Sequence, residues 1–286
     1  MRVLHLSDVH VDVPFGSMPP GGWLSPKRIV GGANLALRRR SHFLRAREKL
    51  SLLGQFQREM NVDLVICTGD YTALGTEPEL LAAREAIEPL TKARAGFATV
   101  PGNHDVYVGD SVGRFDRIFG DLIQTGPWPR VQVVDDAIAV VAVNSARPNP
   151  QPWRSSGRIS DEQLEALPGI FARLGDRFIF VITHYAPRLA SGRPDRFSHG
   201  LVNADAFLKA CAPIKGVILH GHVHKRYSVR VPGVRPTLFC SGSTTQRGSE
   251  GFWLFDVNEG ELTATPGEFA DDRYRLVQSS LDGNLR

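Results

Sequence analysis

The chain has 286 residues, 42% of them hydrophobic, and carries 34 Lys and Arg against 30 Asp and Glu for a formal net charge of +4. That length and apolar share can bury a large core, and they argue against a disordered or fibrous chain. The longest apolar runs, 137–143 and 178–182, fall far short of the roughly 20 residues a membrane-spanning helix needs.

In chain order, an apolar run at 3–6 predicts a strand, followed by Asp8-Val9-His10. A Pro- and Gly-rich loop covers 14–22. Residues 23–37 interleave Trp23, Leu24, Ile29, Val30, Leu35 and Leu37 with basic side chains. Phe43, Ala46, Leu50 and Leu53 recur at helical spacing, with Leu52 and Phe56 on a neighbouring stripe, which predicts an amphipathic helix. A buried strand at 62–67 leads into Thr68-Gly69-Asp70. Pro78, suited to a helix start, opens a helix over 79–90. A strand at 97–100 leads into Pro101-Gly102-Asn103-His104-Asp105.

Runs 131–134 and 137–143, split by Asp135-Asp136, predict a hairpin. Ser160 with Gln163 marks a helix N-terminus. A strand at 178–183 runs into His184, a helix covers 206–211, and a strand at 216–219 runs into His220-Gly221-His222-Val223-His224. Further strands are expected at 228–231, 237–240 and 252–257. The first half alternates β and α and the second is strand-rich, so two packed sheets with helices outside are expected. No repeat or low-complexity linker divides the chain, which reads as one domain over 1–286 with an inserted basic and apolar segment at about 14–41.

Cys67, Cys211 and Cys240 form no C-x-x-C pair, and their odd number suits free thiols buried in a reducing compartment. No signal peptide is visible, and cleavage near the N-terminus would remove Asp8. A cytoplasmic protein is expected, at most peripheral on a membrane. The positive charge is local: Lys27, Arg28, Arg38, Arg39, Arg40, Arg45, Arg47 and Lys49 face Glu48 alone within 27–49. A solvated helix face explains such a run. The rival is contact between residues 23–49 and an anionic membrane surface, given the interleaved apolar side chains. Clustering in one segment without aromatic stacking platforms argues against nucleic acid.

The five fragments that end these strands carry the chemistry. Carboxylate, amide and imidazole together suit metal ions. Asp8 and His10, like His222 and His224, stand two apart, and strand periodicity would aim each pair to one face. Three imidazoles within five residues have no evident role in a core. Asp70 taken alone is an ordinary turn aspartate; with the others it becomes a candidate bridge between two ions. Asn103 can give a metal a neutral oxygen, His104 can reach a substrate oxygen, and Asp105 can hold the His104 ring. His5 reads as a core histidine and His42 as solvated. His199 is a loop residue with substrate contact as the lesser reading, and His220 is either a neighbour of the ligands or a strand end. Trp153, Arg154 and Arg158 read as surface, with a pocket wall as the alternative.

Asp-x-His, Gly-Asp, Gly-Asn-His-Asp, His and Gly-His-x-His, in that order over residues 8–224, resemble the calcineurin-like metallophosphoesterase family. The resemblance implies a four-layer α-β-β-α sandwich of two mixed β-sheets flanked by helices. It implies two metal ions, with manganese, iron, zinc or cobalt compatible with the ligands. Asp8, His10 and His224 would hold one, Asn103, His184 and His222 the other, and Asp70 both. His104 and Asp105 would serve catalysis, with His104 at the scissile phosphate. The implied reaction is hydrolysis of a small phosphorylated substrate of phosphodiester type, by in-line attack of a hydroxide between the metals. Within the family the chain is most similar to bacterial cyclic-nucleotide-type phosphodiesterases. The alternatives are a pyrophosphatase acting on a lipid-linked nucleotide, like the UDP-diacylglucosamine hydrolases, and a non-catalytic scaffold. The Thr183-His184-Tyr185-Ala186-Pro187 segment has Tyr185 where a common version has a second histidine, which bears on the substrate pocket.

Overall fold

The computed structural model describes residues 1–17, 22 and 24–277. Residues 18–21 of the expected loop and Trp23 lie outside the described residues, as do the side chains of Phe15, Arg38 and Arg39. The elements are β1 (Arg2–Leu6), α1 (Pro26–Asn34), α2 (Arg40–Phe43), α3 (Ala46–Glu59), β2 (Leu64–Cys67), α4 (Glu77–Ala86), β3 (Phe97–Thr99), α5 (Arg114–Ile118), β4 (Arg130–Val133) and β5 (Ile138–Ala142). They continue with α6 (Asp161–Leu174), β6 (Phe178–Ile182), α7 (Ala204–Cys211), β7 (Gly216–His220), β8 (Arg226–Val229), β9 (Thr237–Ser241), β10 (Gly251–Asn258), β11 (Glu261–Ala270) and β12 (Arg273–Leu276).

The strands form two six-stranded sheets among the described residues, ordered β12-β11-β10-β1-β2-β3 and β4-β5-β6-β7-β9-β8. Both are mixed. β1, β2 and β3 run parallel, as do β5, β6, β7 and β9, while β10 to β12, β4 and β8 pair antiparallel. Strand alternation sorts the side chains into three cores. Val3, Leu64, Ile66, Val140, Phe180, Leu219, Phe239 and Phe255 pack between the sheets. Leu4, Leu6, Val65 and Cys67 face Leu50, Leu53, Phe56, Leu80 and Ala83 of α3 and α4. Val141, Ile179, Val181 and Ile218 face Leu167, Ile170, Phe171, Phe207 and Leu208 of α6 and α7. Strands buried on both faces must be apolar throughout, which is why the central ones read as unbroken runs. The expected four-layer sandwich is the observed one. The thiols of Cys67, Cys211 and Cys240 are free and buried, as expected, and burial pushes each of them up.

Three local expectations are corrected. α4 begins at Glu77, before the expected 79, because Thr76 caps it: the Glu79 amide donates to the Thr76 hydroxyl, and the Thr76 amide donates to the Glu79 carboxylate at 3.0 Å. It also stops at Ala86, where a short 3-10 turn over Glu88–Lys92 with Pro89 follows. β11 and β12 were not expected. The basic segment is only in part a solvated face, since Lys27, Arg28 and Lys49 are buried. Arg28 pairs with Asp110 at 2.6 Å and donates to Ser111 and to the Leu74 carbonyl. Lys49 pairs with Glu250 at 2.5 Å. At the surface, Arg40 pairs with Asp12, Arg45 with Glu48 and Asp272, and Arg47 with Glu85. The Arg28–Asp110 pair ties α1 to the loop that follows Asn103 and His104, and so seats the inserted segment over one end of the sandwich.

Candidate metal centre

The seven expected ligands converge at that end. Asp8 and His10 follow β1, Asp70 follows β2, Asn103 follows β3, His184 follows β6, and His222 and His224 follow β7. The route differs from the expected one. The residues lie beyond the strands, so strand periodicity does not aim them. Five of the seven have left-handed backbones: Asp8 (φ 54°), His10 (39°), Asp70 (58°), His222 (73°) and His224 (50°). Each such conformation in a residue with a side chain costs of order 1–3 kcal/mol and persists where surrounding structure enforces it. Close approach does the same at two glycines. A Cβ on Gly102 would strike the Asp70 carboxylate, and one on Gly221 would strike Ser7 and Asp8.

The distances form two groups joined at Asp70. In the first, His224 Nε2 lies 3.0 Å from Asp8 Oδ1 and 3.3 Å from His10 Nε2, and His10 Nε2 lies 3.9 Å from Asp70 Oδ2. In the second, Asn103 Oδ1 lies 2.8 Å from His222 Nδ1 and 3.1 Å from His184 Nε2, and His184 Nε2 lies 3.4 Å from Asp70 Oδ2. One oxygen, Asp70 Oδ2, therefore faces both groups. The other, Oδ1, accepts the His104 amide at 2.8 Å.

The outer ring nitrogens set the tautomers. His10 Nδ1 donates to the Thr72 carbonyl at 2.7 Å, His184 Nδ1 to the Thr68 carbonyl at 2.7 Å, His222 Nε2 to the His199 carbonyl at 3.1 Å, and His224 Nδ1 to Gln246 Oε1. An oxygen that only accepts takes the N–H of each ring. The second nitrogen of each then presents its lone pair inward, the arrangement of metal-binding imidazoles. Asp8 Oδ1 is fully buried without a hydrogen-bond donor. An orphaned carboxylate oxygen beside the inward nitrogens of His10 and His224 fits a cation.

The carboxylates favour positive charge at this cluster, which a second proton on two of the rings, or a cation in its place, would supply. Burial pulls His184 down, but the Asp70 carboxylate overrides it and raises the ring to about 9. His224 is raised by Asp8 against the pull of burial. Burial, with His184 and His199 nearby, holds His222 well below its ordinary value, so that ring is neutral. Burial raises Asp70, yet the imidazoles of His184, His104 and His10 hold it well below the usual carboxylate range.

Asp105 does not hold the His104 ring. His104 Nδ1 donates to the Ala73 carbonyl at 2.6 Å instead. The Asp105 carboxylate accepts the amides of Gly102 (2.8 Å), Asp70 (2.9 Å), Tyr71 (2.9 Å) and Thr72 (3.1 Å), and so ties the Asp70 turn to the Asn103 turn. Burial and the charge of Asp70 push its carboxyl up, to about 7, against those donors. Removing the carboxylate strands four buried amides at about 1–3 kcal/mol each before relaxation. Asp105→Ala is therefore expected to lose roughly 4 kcal/mol, about 10 °C in thermal midpoint for a chain of this size. A melting curve within two degrees of the wild type would contradict that role.

A cavity of about 710 Å³ opens over these residues, lined by Asp70, Asn103, His104, His222 and His224 and also by Lys27, Tyr107, Trp153, Arg154 and His199. The pocket-wall reading thus holds for Trp153 and Arg154. His199 stands behind His222, its own ring tied to Asp195 at 2.5 Å. Tyr185 is buried against His222, ring centroids 4.3 Å apart, and donates to the Ser155 carbonyl, so it braces both His222 and the loop carrying Arg154. His5 and His220 are buried, and burial keeps both neutral. His42 is exposed. Gln246, Lys27 and Tyr107 escaped sequence reasoning: none belongs to a recognisable motif, and only the fold brings them here.

The sequence model of the calcineurin-like phosphoesterase family matches residues 1–226. The chain is 25% identical over 232 residues to a 3′,5′-cyclic adenosine monophosphate phosphodiesterase of Pseudomonas aeruginosa, covering 80% of this chain and 74% of that one. It is 22% identical over 268 residues to a probable cyclic nucleotide phosphodiesterase of Vesicomyosocius okutanii, covering 91% and 96%. Among solved structures, a dimetal phosphatase from Danio rerio superposes with a TM-score of 0.66 at 12% identity, covering 98% of this chain and 99% of that one. The motif order, the sandwich and the ligand cluster agree with the family match: this chain belongs to the calcineurin-like phosphoesterase family and is a metal-dependent phosphoester hydrolase.

Proposed function

We propose that the protein hydrolyses phosphodiesters, with Asp8, His10 and His224 holding one cation, Asn103, His184 and His222 a second, and Asp70 both. The observation that carries this reading is the set of four imidazoles, each with one nitrogen spent on an oxygen acceptor and the other turned to the cluster around Asp70 Oδ2. The chemistry cations held there would supply is Lewis acidity, toward phosphate oxygens and toward a water. Their identity is open to manganese, iron, zinc and cobalt, since this donor set suits all four.

The chain's own groups do the rest. The Asp70 backbone amide is fixed by Asp105, and its side chain by the His104 amide. His104 Nδ1 donates a hydrogen bond to the Ala73 carbonyl, so any proton the ring passes to a leaving oxygen travels on Nε2, at the cavity wall. The Tyr107 ring, stacked on it at 5.4 Å, limits its rotation. The names of the curated relatives favour a cyclic nucleotide as substrate. Exposed Leu24, Ile29, Val30 and Leu37 on the inserted segment support a second reading, a lipid-linked nucleotide met at a membrane surface. Three free buried thiols suit the cytoplasm.

The test is a chelated and reconstituted preparation assayed on bis(p-nitrophenyl) phosphate, p-nitrophenyl phosphate, cyclic AMP and UDP-diacylglucosamine. Chelation is expected to cost at least about 100-fold in kcat, restored by one of the four metals, with diesters preferred over the monoester. Full activity after exhaustive chelation, or none on any phosphoester after reconstitution, would refute the reading.

A further inference from the structure

Lys27 is the unusual cation of the inserted segment. Of the eight basic residues in 27–49, Arg28, Arg40, Arg45, Arg47 and Lys49 pair with carboxylates, and the side chains of Arg38 and Arg39 lie outside the described residues. Lys27 pairs with none among the described residues, although it is only 5% exposed. Its Nζ donates to two neutral carbonyls, Tyr107 at 3.3 Å and Arg154 at 3.2 Å, and sits 4.4 Å from the Tyr107 ring centre. A buried ammonium without a counter-charge is costly. Burial accordingly pushes it down to about 8, which still leaves it charged near neutral pH.

Arg154 repeats the pattern beside it. Its guanidinium donates to the Ser156 hydroxyl, lies over the Phe197 ring and meets no carboxylate among the described residues. The charge is felt nearby: Arg147, itself held by Ser156, is lowered by burial and then by Arg154. Both cations line the cavity that the metal ligands line. Lys27 is one ring beyond His104, since it covers Tyr107 and Tyr107 stacks on His104. The carboxylate that shares this wall, Asp195, is engaged by His199. Trp153, 79% exposed, offers a ring face next to Arg154.

We propose that Lys27 and Arg154 form an anion subsite that takes a second phosphate of the substrate, adjoining the phosphate at the metal centre. This rests on the phosphoesterase reading above and extends it to pyrophosphate-linked substrates. An anion there supplies the counter-charge the two side chains lack, and charge-assisted hydrogen bonds to phosphate are among the strong ones.

The test compares UDP-glucose, which has two phosphates, with bis(p-nitrophenyl) phosphate, which has one, in the metal-loaded enzyme. Lys27→Met is expected to raise KM for UDP-glucose about 10-fold with kcat little changed, and to cost at least about five-fold more on UDP-glucose than on the single-phosphate substrate. Arg154→Gln should follow the same direction, and Lys27→Arg should recover most of the loss. Equal losses on both substrates, no loss on either, or a wild type indifferent to UDP-glucose as substrate and inhibitor would overturn the subsite. Calorimetric titration of uridine diphosphate into chelated protein separates this from the parent reading. Weaker binding by Lys27→Met there supports the subsite even if no phosphoester is hydrolysed; equal binding by variant and wild type removes it.

Discussion

Replacing Asp70 with asparagine is expected to lower kcat on bis(p-nitrophenyl) phosphate by at least about 10³-fold, some 4 kcal/mol of transition-state stabilisation. Its Oδ2 faces His10 in the first group and His184 in the second, so neutralising it would remove the shared charge from both proposed cation sites at once. The substitution keeps the side chain's shape and an amide oxygen to accept the His104 N–H, which keeps the local turn. The loss should therefore appear in metal content, as at least one equivalent missing by elemental analysis, with an unchanged far-ultraviolet spectrum. A variant that retains two equivalents and near wild-type kcat would remove Asp70 from the bridging position.

His104→Ala carries the second large effect. A positioned acid–base group contributes about 10²–10⁴ in rate. The ring is held for that task by Ala73 on one nitrogen, by Tyr107 on one side and by an edge contact with His10, centroids 5.1 Å apart. If its Nε2 proton goes to the leaving oxygen, the loss depends on that oxygen. p-Nitrophenolate departs without help, whereas the ribose oxygen of cyclic AMP is a poor leaving group. The kcat loss should then be at least about ten-fold greater for cyclic AMP than for bis(p-nitrophenyl) phosphate. Equal losses would move His104 from proton donor to charge stabiliser, and no loss on either would remove it from catalysis.

How far the sequence reveals all this depends on what kind of atom does the work. The candidate ligands are legible because each is a side chain of restricted chemistry, placed after an apolar run that must be a doubly buried strand. The layers were legible for the same reason: Leu64–Cys67 and Phe178–Ile182 have no polar face to show solvent. β11 was not, because its residues are mostly half exposed and Pro266 and Gly267 interrupt the pattern. The acceptors that fix the imidazoles were beyond reach, since Thr68, Thr72, Ala73 and His199 act through main-chain carbonyls that every residue possesses. The misreading of Asp105 has the same origin: it reaches four amides that only the folded turns bring together. Lys27 was counted as surface charge because composition cannot tell a buried ammonium from a solvated one.

The ligand set is also divided between the two halves of the sandwich. Asp8, His10, Asp70 and Asn103 leave one sheet, while His184, His222 and His224 leave the other. Cations held there as proposed would act as rivets across the seam, joining segments as far apart in sequence as residues 8 and 224. Ligand linkage adds about 2.7 kcal/mol per site when free metal stands a hundred-fold above its dissociation constant. The durability of the whole molecule is thereby tied to metal supply, so scarcity would expose the chain to proteases as well as silence its chemistry.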